Sequence, residues 1–378
     1  MTDATQLLRE LIALPSVNPA FLPANDPRGG EQRVADFLAA TAARAGLTVE
    51  FQPVFPGRAN LLARLTPTGP VKQRILLAPH LDTVGNADMP DSLFQPREKQ
   101  GRLFGRGTCD TKGSVAAMMT AVINLARNGC RPAATEIIFA GLIDEENGQS
   151  GSRALAGSGF AADLAIVGEP TRLQVVTAHK GDLWLRLETR GKSAHGARPE
   201  LGRNAVHAMA RVVDLLETTY ARQLRRRRHP LLGCATVNVG TIAGGTQPNI
   251  VPDRCAISID RRTLPGETEA SVRRELQALL RKHKLAATIA DTKGAACEPL
   301  ETNLQLPLVK QFLRSVGQAK PVGVDFFCDA SVLSGGGIPS VVFGPGDIAQ
   351  AHTVDEWISL AALERGTAML TRFLQSLP

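Results

Sequence analysis

The rhythm of the chain changes twice, and that double change limits the available folds more than any single motif does. Over residues 1–179 helical periods alternate with short apolar strands. A helix over 30–46 carries Val34, Phe37, Leu38 and Ala42 on one face, and strand-like runs follow at 48–55, 60–65 and 74–79. Val115, Met118, Met119, Val122 and Leu125 then recur three and four apart along a helix over 112–127, and the runs 136–142 and 164–167 are apolar almost throughout. Strands alternating with helices imply an α/β domain with a largely parallel sheet. From 180 to 292 the order becomes strand 182–189, helix 204–217, strands 235–241 and 254–263, helix 267–282 and strand 286–290. That βαββαβ order describes a small ferredoxin-like α+β domain. The first rhythm returns over 293–378, with a helix at 306–316, strands at 321–327 and 340–343 and a last helix at 358–374. The expected architecture is a discontinuous α/β domain, 1–179 and 293–378, interrupted by a second domain over 180–292. A chain of 378 residues fits this, because one hydrophobic core usually stops growing well before that length.

Composition closes several other routes. Hydrophobic residues make up 43% and charged ones 21%, which excludes a disordered or collagenous chain. The net charge of +7 invites a polyanionic partner, but the arginine run at 225–228 supplies four of those charges and +3 remains without it. Aromatics are only 4%, too few for the stacking platforms of a single-strand nucleic-acid binder. The six cysteines are scattered with no CxxC pair, which suits a reducing cytosol. The opening MTDATQLLRELIALPS has no signal-peptide pattern, and no apolar run approaches the roughly 20 residues that span a bilayer. A cytoplasmic protein with no nucleic-acid and no membrane partner is expected.

Chemistry-bearing residues gather just past the strands of the first rhythm. Run 74–79 delivers His80-Leu81-Asp82, in which the carboxylate can hold the imidazole. Alone, the pair is better read as an ordinary loop hydrogen bond. Asp110, in GRGTCDTKG, stands just before the helix at 112–127, where it can cap the helix or stay ionised for a metal. Asp144-Glu145-Glu146 follows run 136–142, and three adjacent acids repel unless solvent or a cation lies among them. Glu169 follows run 164–167, and His352 comes in the segment after run 340–343. His80, Asp110, Glu146, Glu169 and His352 thus lie in loops of one sheet domain. Two imidazoles and three carboxylates suit Zn²⁺ or a related divalent ion, and five ligands are too many for one tetrahedral ion. Two metals bridged by one carboxylate is the simplest arrangement, and it leaves Glu145 free as a general base.

HLDTV, GRGTCDTKG, DEENG, GEPT and the late GPG…AH..DE resemble, in order and spacing, the motifs of the M20 family of di-zinc metallohydrolases, over essentially the whole chain. The resemblance implies that His80 and Glu169 bind one zinc, Glu146 and His352 the other, and that Asp110 bridges them. Co²⁺ or another divalent metal can substitute. Asp82 would orient His80, and Glu145 would carry a proton from the attacking water to the leaving nitrogen. His195, in Gly191-Lys192-Ser193-Ala194-His195-Gly196, resembles the family histidine that crosses a homodimer interface to stabilise the oxyanion in the partner's site. The second domain would then serve as dimerisation and lid domain.

Asn249 and Arg262 resemble the residues that clamp a substrate carboxylate, for which a guanidinium fork is suited. The nearest likeness is to the acetylornithine deacetylase branch, implying hydrolysis of the amide bond of an N-acyl amino acid. A dipeptidase, a carboxypeptidase or a succinyl-diaminopimelate desuccinylase is the alternative, with a short peptide as the other substrate class. At Cys328-Asp329-Ala330-Ser331 the sequence departs from the branch's Thr-Glu-Ala-like turn, so Asp329 is expected to face the substrate's variable group and favour a cationic or polar one. His179, His207, His229 and His283 match no ligand of the family and are expected to be structural or solvated.

Overall fold

Short apolar strands bounded by turn residues pair into one mixed sheet. The computed structural model describes residues 3–127, 129–290 and 296–378. Thr48–Phe55, Arg58–Leu65, Thr135–Gly141, Gln73–Pro79, Leu164–Gly168 and Ser340–Val342 stand side by side in that order, and Val342 next pairs with Val176. The four strands from Thr135–Gly141 to Ser340–Val342 run parallel to one another. Thr48–Phe55 and Arg58–Leu65 are antiparallel because two residues, Pro56 and Gly57, join them, and a parallel pair needs a long crossover. Gly57, at φ +71°, supplies the left-handed turn. The sheet is therefore less uniformly parallel than expected. Its four parallel strands nevertheless end on one edge, at Pro79, Gly141, Gly168 and Val342, where loops of α/β sheets gather ligands.

The core of this part lies around the helix Lys112–Arg127, buried on nearly every side and packed against the helices Ala4–Ile12 and Leu360–Gln375. Phe312 meets Phe343 and Phe373 edge to face, adding aromatic contacts of about 0.5–1.5 kcal/mol each to their burial. A three-stranded sheet of Arg97–Lys99, Arg102–Phe104 and Trp357–Ser359 was not foreseen, since three-residue strands carry too little periodicity. Run 321–327 is likewise strand only over Val322–Val324.

The chain divides into two compact units, the first Met1–Thr177, Thr302–Val322 and Cys328–Pro378, the second Ala178–Glu301 with Gly323–Phe327. The expected return near 292/293 lies outside the described residues. In the second unit Gly181–Arg190, Ala205–Asp214, Thr236–Gly244, Arg254–Thr263, Glu269–Lys282 and Thr288–Ala290 give the order βαββαβ. Its sheet is antiparallel throughout, ordered Thr236–Gly244, Arg254–Thr263, Gly181–Arg190, Thr288–Ala290. Alternation along Gly181–Arg190 buries Leu183, Leu185 and Leu187 with Met209, Val212, Leu276 and Leu280 of the two helices, while Trp184 stays 60% exposed on the other face. The arginine run at 225–228 is partly neutralised within the unit, because Arg227 pairs with Glu267 and Glu275. No described helix is long and apolar enough to cross a membrane.

Candidate active site

Strand Gln73–Pro79 hands its chain directly to His80, which is 2% exposed. The ring's Nδ1 faces Asp82 twice, at 3.0 Å from its carbonyl oxygen and 3.4 Å from Oδ1. These oxygens can hold a proton on Nδ1, which would leave Nε2 to supply the lone pair if a metal were bound. Nε2 points at Asp110 Oδ1, 3.1 Å away, and Glu169 Oε1, 3.8 Å away. His352 Nε2 approaches the other oxygen of Asp110, Oδ2, at 3.3 Å, and Glu146 Oε2 at 3.2 Å. Two triads result, His80–Asp110–Glu169 and Asp110–Glu146–His352, each with ligand atoms close enough to hold one ion, and Asp110 belongs to both.

Each triad depends on local structure. Asp82 Oδ1 accepts the backbone N–H of Glu145 and Oδ2 that of Glu146, both at 3.1 Å, so one carboxylate sets the His80 ring and the 144–146 turn together. Asn18 donates to both Asp82 Oδ2 (2.8 Å) and Asp144 Oδ1 (2.9 Å). Asp144 is a structural member of the acidic run: it takes φ +66°, accepts from Ser150 Oγ at 2.5 Å, and through its N–H reaches Glu31, the partner of Arg58. Thr111 Oγ1 donates to the Gly168 carbonyl at 2.7 Å and so ties the Asp110 turn to the strand that carries Glu169. Lys112, fully buried, donates to the carbonyls of Leu11 and Leu14 and closes the end of the first helix.

The electrostatics of the cluster call for positive charge. Burial pushes Glu145 and Glu169 well above the usual carboxylate range, and the neighbouring carboxylates push further against His80. Burial and the Asp110 charge raise Glu146 to about 7. Burial opposes ionisation of Asp110 as well, yet hydrogen bonds to His352 and His80 hold it below its usual range. Hydrogen bonds to Asp110 and Glu146 raise His352 to about 10, and His80 is raised well above 6.5 by Asp110 and Asp82 despite its burial. Glu146 Oε1 is buried with no hydrogen-bond partner among the described residues. An orphaned carboxylate oxygen beside imidazoles and crowded acids fits a divalent cation bound by mixed oxygen and nitrogen ligands.

The remaining expected residues fall elsewhere. Glu145 is half-buried next to the cluster and belongs to neither triad. Asp329 begins the helix Asp329–Gly335, which packs on Ser150–Gly157 and turns the carboxylate inward onto Ser152 Oγ at 2.5 Å. It is 1% exposed, and its charge is felt by Glu145 and Glu169. Within the second unit His195 and Asn249 are brought together: His195 bridges to Ile250, and the Gly196 N–H donates to the Asn249 carbonyl at 2.7 Å. Both side chains are exposed. Arg262 is gripped at two 3.0 Å contacts by Asp260, with Asp182 at 3.6 Å and the Phe327 ring 6.0 Å from its guanidinium carbon. Asn18 and Glu31 carry no sequence signal, since a buried polar residue outside a metal-type motif looks like any surface one; Lys112 and Glu356 stand inside GRGTCDTKG and AH..DE, whose residue order does not say what their side chains hold.

Residues 76–376 match Peptidase family M20/M25/M40. An acetylornithine deacetylase of Myxococcus xanthus is 31% identical over 389 residues, covering 98% of this chain and 98% of that protein. Aminopeptidase PepT from Bacillus cereus ATCC 10987 shares the fold at TM-score 0.77 and 23% identity, over 98% of this chain and 97% of that one. The YXEP protein of Bacillus subtilis, described as a dinuclear metal binding peptidase, superposes at TM-score 0.71 and 12% identity, over 98% and 96%. With the match running over most of the chain, this protein is a hydrolase of peptidase family M20/M25/M40.

Proposed function

We propose that the protein is a metal-dependent deacylase that hydrolyses the amide bond of N-acyl amino acids, with acetylornithine as its substrate. The observation that carries the reaction class is the pair of triads sharing Asp110, with Glu145 beside them and outside both. His80 and Glu169 would hold one divalent cation and Glu146 and His352 the other, Asp110 bridging; zinc suits this ligand set, and cobalt can substitute. Bound there, the cations would polarise the scissile carbonyl and acidify a water molecule. Glu145 takes the proton from the attacking water and returns it to the leaving amine, a task suited to a carboxyl group whose affinity for protons burial has raised. Asp82 keeps the His80 ring in register.

In the second unit, Asn249 and Arg262 would hold the substrate's carboxylate, Arg262 with its fork pre-set by Asp260. His195, exposed and with Nδ1 accepting the Ala197 N–H at 3.1 Å, presents Nε2 outward, as a donor to an oxyanion in a partner subunit's site must. The working form would be a cytoplasmic homodimer joined through the second unit. The substrate class is supported by the full-length likeness to a deacetylase.

The test is a screen of N-acetyl, N-succinyl and N-formyl amino acids and of dipeptides with the zinc-loaded protein. Acetylornithine should give the highest kcat/KM, with activity lost to a chelator and restored by Zn²⁺ or Co²⁺. Preferential cleavage of dipeptides would replace the deacylase reading with a peptidase one.

A further inference from the structure

Four residues past His352, a carboxylate lies buried where the proposed reaction has no use for it. Glu356 is 2% exposed. Its Oε1 accepts the backbone N–H groups of Cys109 at 2.8 Å and Asp110 at 3.0 Å. Its Oε2 accepts the Gly107 N–H at 2.8 Å and Arg106 Nη1 at 2.9 Å. The Glu356 carbonyl also accepts from the Gly105 N–H at 3.1 Å, extending the pairing of Trp357 with Phe104 in the small sheet. Segment 105–110 is thus wrapped around one side chain from a distant part of the chain. Gly107 makes this possible: it sits at φ +80°, and a Cβ there would stand 2.8 Å from Thr83 Cγ2.

Four donors on one carboxylate match its four lone-pair directions, and charge-assisted bonds of this kind are roughly twice as strong as neutral ones. A carboxamide cannot reproduce them, because its NH₂ would face a backbone N–H. The same residue follows His352 closely in sequence, so Glu356 fixes two ligand-bearing segments at once. Asp110 is held through its own N–H. His352 is held from four residues away, and it needs such an anchor, since its side chain is 56% exposed. The two side chains meet at 3.3 Å.

We propose that Glu356 is a positioning residue that clamps the Asp110 turn to the His352 segment, so that the Asp110–Glu146–His352 half of the centre is formed before a cation arrives. This rests on the two-cation reading above. His80 and Glu169 follow directly from strand ends and are steadied by Asp82, so the other half depends on Glu356 only through Asp110.

Stepwise Co²⁺ binding tests the clamp, followed by visible absorption and by competition with a chelator, on wild type, Glu356→Gln and His352→Ala, with thermal unfolding of each metal-free protein alongside. Glu356→Gln should weaken one of two sites by about 10–100-fold, the same site that His352→Ala weakens, while the metal-free protein still unfolds in one transition. Unchanged affinity at both sites overturns the proposal, and so does an equal loss at both accompanied by general destabilisation. If Glu356→Gln does not fold, Arg106→Gln, which removes one of the four bonds and keeps the carboxylate, is judged by the same outcomes. Wild-type protein that binds no cobalt would instead overturn the two-cation reading, and the clamp with it.

Discussion

His80 and His179 are both buried, one on the strand-end rim of the first unit and one in the second, and their surroundings drive them in opposite directions. His179 has Nδ1 at 2.8 Å from the Lys180 carbonyl and, among the described residues, no partner at Nε2, and burial lowers it to about 4. His80 is equally enclosed, yet Asp110 and Asp82 raise it well above 6.5. Burial alone makes a histidine neutral; a wall of carboxylates reverses the sign. The rim is therefore a place built to hold positive charge, while the His179 pocket is built to exclude it.

The sharpest way to break this comparison is to ask whether every rim carboxylate serves to hold cations. If Glu145 is reserved for proton transfer, Glu145→Ala should lower kcat by about 10²–10⁴ while metal content measured by elemental analysis stays at two per chain. Loss of a metal along with activity would place Glu145 among the ligands and remove the division of labour.

A smaller effect separates the two rim histidines. Without the His80 ring, Asp82, Asp110 and Glu169 face one another with a buried positive partner gone, so His80→Ala should cost the metal-free protein about 3–5 kcal/mol. His352 is 56% exposed, and its contacts are screened by solvent, so His352→Ala should cost no more than about 1 kcal/mol. Denaturant unfolding of the two metal-free variants measures both, and equal losses would mean that burial does not distinguish the halves.

Much of the rim was legible because its parts obey local rules. Three of the four parallel strands are apolar runs closely followed by His80, Glu146 and Glu169, so these residues could be placed at strand ends before any pairing was known. The sheet's antiparallel margin was less legible, because the two-residue link at Pro56-Gly57 carries its meaning only once both strands are in register. What stayed hidden was the support. Glu356 reaches Cys109 across 247 positions and Asn18 reaches Asp144 across 126, and no periodicity links residues so far apart. The surroundings of Asp329 stayed hidden for a related reason: it is the packing of Asp329–Gly335 on Ser150–Gly157 that turns it onto Ser152.

A last effect, read only as a slope against pH, tests the other side of the comparison, the pocket that excludes charge. In the folded protein His179 stays neutral down to about pH 4, while the unfolded chain takes up a proton near the ordinary 6.5. Between those values the unfolded state binds more protons, so unfolding free energy rises with pH: the stability tied to His179 is present above about 6.5 and is lost as pH falls toward 4. A shift of this size in a fully buried ring corresponds to stability on the order of 3 kcal/mol across that window. His179→Asn, which cannot titrate there, should flatten the acid limb of stability relative to wild type in urea unfolding at a series of pH values from 4 to 7. The slopes of His80→Ala should change the opposite way, because a raised histidine gives stability that is greatest below its unfolded value and fades as pH climbs through its folded one. Parallel acid limbs for wild type and His179→Asn would show that burial does not hold this ring neutral, and the contrast between the two histidines would fail.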